Sequence, residues 1–125
     1  MEFKIDTNSN YIQITPAGEA LDAKLAEAIR QKWEELTQKG SENFIIDLQN
    51  CTKAEKDALP VLVHLHADCY SSGQSLVFTG LQPGVVQAMK ETETDMAINI
   101  APTLIEAADI ISMEILERDL FNEEY

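Results

Sequence analysis

Positive charge is scarce in this sequence. Of 125 residues, 9 are lysine or arginine and 22 are aspartate or glutamate, a formal net charge of −13. Nucleic acids and anionic membrane surfaces are bound through clusters of Lys and Arg, so neither is an expected partner. Cysteine is scarce too. Cys51 and Cys69 form neither a C-x-x-C pair nor a zinc spacing, which excludes a paired disulfide framework. They read as small core hydrophobes in a reducing, cytoplasmic setting. Long apolar runs are missing, and nothing approaches the roughly 18 residues of a membrane span. The opening Met1-Glu2-Phe3-Lys4-Ile5-Asp6 carries charges where a secretion signal needs an apolar stretch.

Catalytic signatures are absent as well. There is no phosphate-binding G-x-x-x-x-G-K-[ST], no G-x-G-x-x-G and no G-x-S-x-G. His64 and His66 are two residues apart, and on a helix such residues point to nearly opposite sides, so they cannot share a metal ion. His66 reads as half-buried and His64 as exposed, with no Ser or Cys nucleophile spaced to use either. The adjacent pairs Glu34-Glu35 and Glu123-Glu124 read as ordinary surface or tail charge. Neither a reaction, a metal nor a cofactor is expected of these residues.

What is present is an ordinary globular composition, 45% apolar and 25% charged, at a length suited to one core. Phe3 and Ile5, then Tyr11-Ile12-Gln13-Ile14, read as strands of a hairpin turned at Thr7-Asn8-Ser9-Asn10. Leu25, Ile29, Trp33 and Leu36 mark a helix capped by Asp22 and stopped by Gly40. Phe44-Ile45-Ile46-Asp47-Leu48 is apolar on both faces, as a central strand should be. A second helix is expected over residues 58–70, then a strand at Leu76-Val77-Phe78 and a short helix carrying Val85, Val86 and Met89. Ala97–Ile100 reads as a weak last strand, and Pro102 as the first turn of a final helix. That helix is apolar on more than one side, so it either packs between elements or offers a face to another subunit, a homodimer included. The fold class is α/β: a mixed sheet of about five strands with about four flanking helices.

Several residues in fixed order resemble the STAS family, the anti-sigma factor antagonists and the cytoplasmic domains of sulfate transporters. Laid without gaps on the family's middle pattern, the chain keeps Asp47, Leu48, Thr52, Leu59, Leu62, His66, Gly73, Gly80 and Leu81. Gly18-Glu19-Ala20-Leu21-Asp22 and the stretch Pro102–Ala108 add to the likeness. It implies a STAS-like domain over residues 1–113, followed by an acidic extension of the last helix and tail over 114–125. It also implies a non-catalytic regulatory or adaptor role through protein–protein contact.

The departure falls at the family's functional centre. Where the family has Asp-Ser-Ser-Gly, this chain reads Glu55-Lys56-Asp57-Ala58, and the counterpart of the phosphorylated Ser is Asp57. A phosphoserine carries roughly −1.5 to −2 and Asp carries −1, so Asp57 is expected either to fix a state resembling the phosphorylated one or to cap the second helix. Thr52 keeps a hydroxyl nearby. Lys53 and Lys56 are local cations that suit an acidic or phosphate-bearing group, or are simply solvated. The expected partner-binding face joins Glu19, Asp22, Asn50, Thr52, Lys53, Glu55, Lys56 and Asp57. Its expected partner is a kinase-like anti-sigma factor. Alternatives are the ATPase subunit of a bacterial lipid-transport system, or a nucleotide or lipid held near the second helix.

The charge is uneven along the chain. Residues 1–56 hold 7 basic and 10 acidic side chains, whereas residues 57–125 hold 2 and 12. The excess reads as solubility or as an acidic docking face for a basic partner. Seven of the late acids lie from Glu106 onward against Arg118 alone, and there solubility is the expected role.

Overall fold

In the computed structural model, which describes residues 2–123, the chain begins with the expected hairpin. Strand β1 (Phe3–Thr7) pairs antiparallel with β2 (Ile12–Pro16), Phe3 opposite Pro16 and Thr7 opposite Ile12. The Asn8 N–H donates to the Tyr11 carbonyl across the turn. Helix α1 (Ala23–Gln38) starts where Asp22 Oδ1 accepts the Leu25 N–H at 2.8 Å. It ends as Gly40 takes φ +102°, a conformation that favours glycine.

Strand β4 (Asn43–Asp47) runs parallel to β2 on one side and to β6 (Ser75–Thr79) on the other. The main sheet therefore has the order β1-β2-β4-β6. Two two-residue strands, β3 (Ala20–Leu21) and β5 (Lys53–Ala54), form a separate parallel pair. Such short segments carry no alternation and were invisible to sequence patterning. Helices α2 (Leu59–Ser71), α3 (Pro83–Glu91) and α4 (Leu104–Glu123) complete the order.

Alternation in the strands divides the core in two. Ile12, Ile14, Phe44, Ile46, Leu76 and Phe78 face α1, α2 and α3 and meet Leu25, Ile29, Trp33, Leu59, Leu62 and Val85. Ile45 and Val77 point the other way and are covered by Ala107 and Ile111 of α4. Thus α4 lies on the opposite side of the sheet from the other helices. Both cysteines are buried free thiols within the first cluster. Burial pushes the Cys69 thiol up to about 12, so it stays protonated and packs as a hydrophobe.

Two expectations at the C-terminal end are corrected. The strand over Ala97–Ile100 shrinks to one parallel bridge, Phe78 to Ile100. The backbone before it is wound into a 3-10 turn at Thr94–Met96, and Pro102 after it has no N–H to extend a ladder. The last helix begins at Leu104, not Pro102, because Thr103 supplies the cap: its Oγ1 accepts the Glu106 N–H at 3.1 Å. Beyond residue 113 this helix continues without a break. There Glu114 accepts from the Tyr70 hydroxyl at 2.7 Å, and Arg118 donates to Ser75 and Asn43, each at 2.7 Å. Residues 124 and 125, the end of the expected acidic tail, lie outside the described residues.

Candidate functional site

The parallel strands β2, β4 and β6 all end on the same edge of the molecule, and their following loops meet there. The loop after β2 and the loop after β4 are laced by backbone bonds. Glu19 carbonyl accepts from the Thr52 N–H at 2.8 Å and the Lys53 N–H at 3.4 Å, and Leu21 carbonyl from the Glu55 N–H at 2.9 Å. The pairing of β3 with β5 is this lacing seen as strand structure. Side chains add to it: Asn50 donates to the Pro16 carbonyl at 3.1 Å, and the Cys51 thiol to the Gly18 carbonyl at 3.3 Å.

A polar support lies beneath the loop. Asp47, at the end of β4, is 7% exposed. Its carboxylate accepts from Gln13 Nε2 at 3.1 Å, from Gln49 Nε2 at 2.9 Å and from the Gln49 backbone N–H at 3.1 Å. Gly80 passes against this group with φ +71°, and a Cβ there would sit 2.2 Å from Asp47 Oδ1. The first turn of α3 closes the other flank, where a Cβ on Gly84 would lie 2.5 Å from the Thr52 carbonyl oxygen. Gln82 Nε2 donates to the Gln49 carbonyl at 2.9 Å. Gly80 enters the sequence pattern only as a position shared with the family, and the contact of this segment with the loop is not legible there. The two glycines two residues either side of Gln82 were the available signal.

The structure therefore brings Glu19, Asn50, Thr52, Lys53 and Glu55 onto one laced loop surface, with Lys56 and Asp57 next in the chain. Asp22 adjoins it at the start of α1, where its side chain is spent on the cap. Glu19, Thr52, Lys53, Glu55, Lys56 and Asp57 are exposed. Thr52 Oγ1 reaches the Glu19 carbonyl only at 3.5 Å. Lys53 and Lys56 make no ion pair among the described residues.

One reading of Asp57 is corrected. Asp57 does not cap the second helix: Lys56–Ala58 form a 3-10 turn, α2 follows with Ala58 at its N-cap position, and no side chain caps it. Pro60 in the first turn of α2 already lacks one of the N–H groups that a cap would satisfy. Asp57 thus holds its carboxylate in the opening turn without bonding it to the helix.

His64 and His66 part company as expected. His64 is exposed, while His66 is half-buried and its Nε2 accepts the Asn99 N–H at 3.1 Å. Burial holds the His66 imidazole below its ordinary pKa, and Glu114 opposes that shift. Grooves of about 740 Å³ along α1, starting at Ala23 beside Asp22, about 610 Å³ between α4 and Gly73–Gln74, and about 600 Å³ along α3 from Leu81 run over the surface. No helix among the described residues is long and apolar enough to cross a membrane.

Residues 4–102 match the family model described as Mlab, STAS domain. The chain belongs to the STAS domain family. Its fold is similar to that of a putative anti-sigma factor antagonist from Thermotoga maritima, with a TM-score of 0.77 at 19% identity over 88% of this chain and 94% of that one. It is similar also to the anti-sigma factor antagonist SpoIIAA in its unphosphorylated form, with a TM-score of 0.69 at 16% identity over 89% and 96% of the two chains. A variant of RsbS from Moorella thermoacetica aligns with a TM-score of 0.70 at 19% identity over 94% and 99%. Among curated proteins, no sequence matches this chain.

Proposed function

We propose that this chain is a non-catalytic regulatory domain that binds a partner protein through its laced loop surface and the entry to α2, with Asp57 as a permanent charge at the regulatory position. The supporting observation is the state of Asp57. Its carboxylate is exposed and bonds no helix N–H, so the structure does not consume the charge. A charge that holds nothing in place is available to a partner. Lys53 and Lys56 stand beside it in the same condition, which gives the surface a mixed pattern suited to recognition rather than to burial.

The absence of a hydroxyl at residues 55–58 makes an on–off phosphorylation cycle at this position unavailable. In this reading Asp57 keeps the domain in the state that a phosphoserine would produce, and partner binding is set by expression rather than by a kinase. The surface is tied from below by the Asp47 bonds and is made of exposed side chains. That arrangement favours a protein partner over an enclosed small molecule.

The test is a quantitative pull-down from native extract with wild type, Asp57→Ser and Asp57→Asn, the retained proteins identified by mass. Asp57→Ser should change retention of one identified partner at least tenfold and should take up labelled phosphate in the extract. Equal retention by all three chains, with no phosphate on the serine, removes Asp57 from the account. Retention of a transporter ATPase subunit in place of a kinase-like protein would assign the domain to a transport assembly on the same face.

A further inference from the structure

Helix α4 is apolar on two opposite sides. Its inner side, with Ala107 and Ile111 fully buried, covers the sheet. Its outer side presents Ile105, Met113, Leu116 and Leu120, which are 75%, 62%, 58% and 53% exposed. At about 100° per residue these four fall within an arc of roughly 80°, centred opposite the buried face. Met113, Leu116 and Leu120 keep the three-then-four spacing of a helix–helix seam. From Ile105 to Leu120 the stripe runs roughly 22 Å, about two heptads. Solubility alone does not explain a row of large apolar side chains in water.

The charge around the stripe says what fits it. Asp109 lies within the row, Glu106 and Glu117 flank one side, and Asp119 flanks the other, all exposed. The one cation of this helix, Arg118, is turned inward to Ser75 and Asn43. A second copy laid on this face would set the acidic flanks of two like helices against each other, and α4 offers no outward cation to pair with them. Asp109 would then be buried against apolar side chains without a counter-ion. An anionic membrane is repelled for the same reason.

We propose that the outer face of α4 is a docking surface for a partner helix whose apolar seam is flanked by lysine or arginine. The apolar row supplies area, and the acidic flanks set orientation and reject partners of like charge. Asp109 fixes register by requiring a cation opposite it, as a polar residue does in a coiled-coil seam. This surface lies across the sheet from α1 and α2, so it does not depend on the reading of Asp57.

The probe is a pair of synthetic 16-residue amphipathic helices, both with leucine at the seam positions, one flanked by lysine and the other by glutamate. Each is titrated into the labelled full chain, with amide chemical shifts and peptide fluorescence anisotropy as readouts. The lysine-flanked peptide should bind and shift amides of α4, and the glutamate-flanked one should not. Met113→Ser with Leu116→Ser should weaken binding at least tenfold. Glu106→Gln with Glu117→Gln, which leaves the apolar row intact, should weaken it severalfold and flatten its salt dependence. Glu27→Gln with Glu34→Gln on α1 should leave it unchanged. The proposal is overturned if the α1 variant weakens binding as much as the α4 variant, since attraction to any acidic surface would then suffice. It is also overturned if sedimentation shows a dimer of this chain that Leu116→Ser abolishes.

Discussion

Removing the Asp47 carboxylate should loosen the floor of the loop surface before it affects anything else. Asp47 accepts three hydrogen bonds, one from Gln13 and two from Gln49. Bonds to a carboxylate are worth about 1.5–3 kcal/mol each, but a donor that regains water loses little. Gln49 is exposed and recovers water, so its two bonds count at the low end or less. Gln13 is 9% exposed, and its amide would be left without an acceptor at a cost of about 1–3 kcal/mol. Asp47→Ala should therefore cost about 3 kcal/mol in total, a large share of the 5–15 kcal/mol of an ordinary domain. Asp47→Asn keeps the shape but turns a donor toward donors, and should cost about half as much. Urea unfolding followed by fluorescence of Trp33, the only tryptophan, measures both. Amide exchange at Gln49 should also quicken in Asp47→Ala. A loss below about 1 kcal/mol, with Gln49 exchange unchanged, would refute the reasoning and shift the support to the backbone lacing and the Asn50, Cys51 and Gln82 bonds.

Two further outcomes follow from the same structure. Gly80 and Gly73 both have positive φ, but a Cβ meets Asp47 at the first and open space at the second. Gly80→Ala should therefore destabilise clearly more than Gly73→Ala, which should lose only about 1 kcal/mol of conformational preference; denaturation midpoints of the pair decide it. Burial lowers the pKa of His66, so the unfolded chain takes up a proton first as pH falls. Stability should thus decline as pH drops through about 6.5 and level off below the lower folded value. His66→Gln should flatten that part of a melting-temperature profile against pH.

Much of the fold could be read because its periodicities are local. The Asp22 cap, the Leu25–Trp33 face and the two-sided apolar run at Phe44–Leu48 each carry a pattern within a few residues, and each element stands where that pattern put it. The pairing of Ala20–Leu21 with Lys53–Ala54 could not be read, since two residues have no period and the bonds join segments more than 30 residues apart. The expected strand at Ala97–Ile100 failed because a 3-10 turn and Pro102 left room for one bridge. At the candidate site, the residues of the two loops were legible as a group only through family resemblance. The state of Asp57 was not legible at all: its type suits a cap, and whether it caps depends on a 3-10 turn that extends the helix entry past it. Asp47 stood out only as a family position, and its bond to Gln13 was not legible because each looks like an isolated polar interruption until the sheet register brings them together.

The central claim is that Asp57 is a free charge kept for a partner and not for the fold. Its most direct test measures Asp57→Asn twice, once for melting and once for retention of the partner identified with wild type. The account predicts stability within about 0.5 kcal/mol of wild type, the range of ordinary surface substitutions, together with at least a tenfold change in partner retention. A marked loss of stability with retention unchanged would contradict it and return Asp57 to a purely structural role.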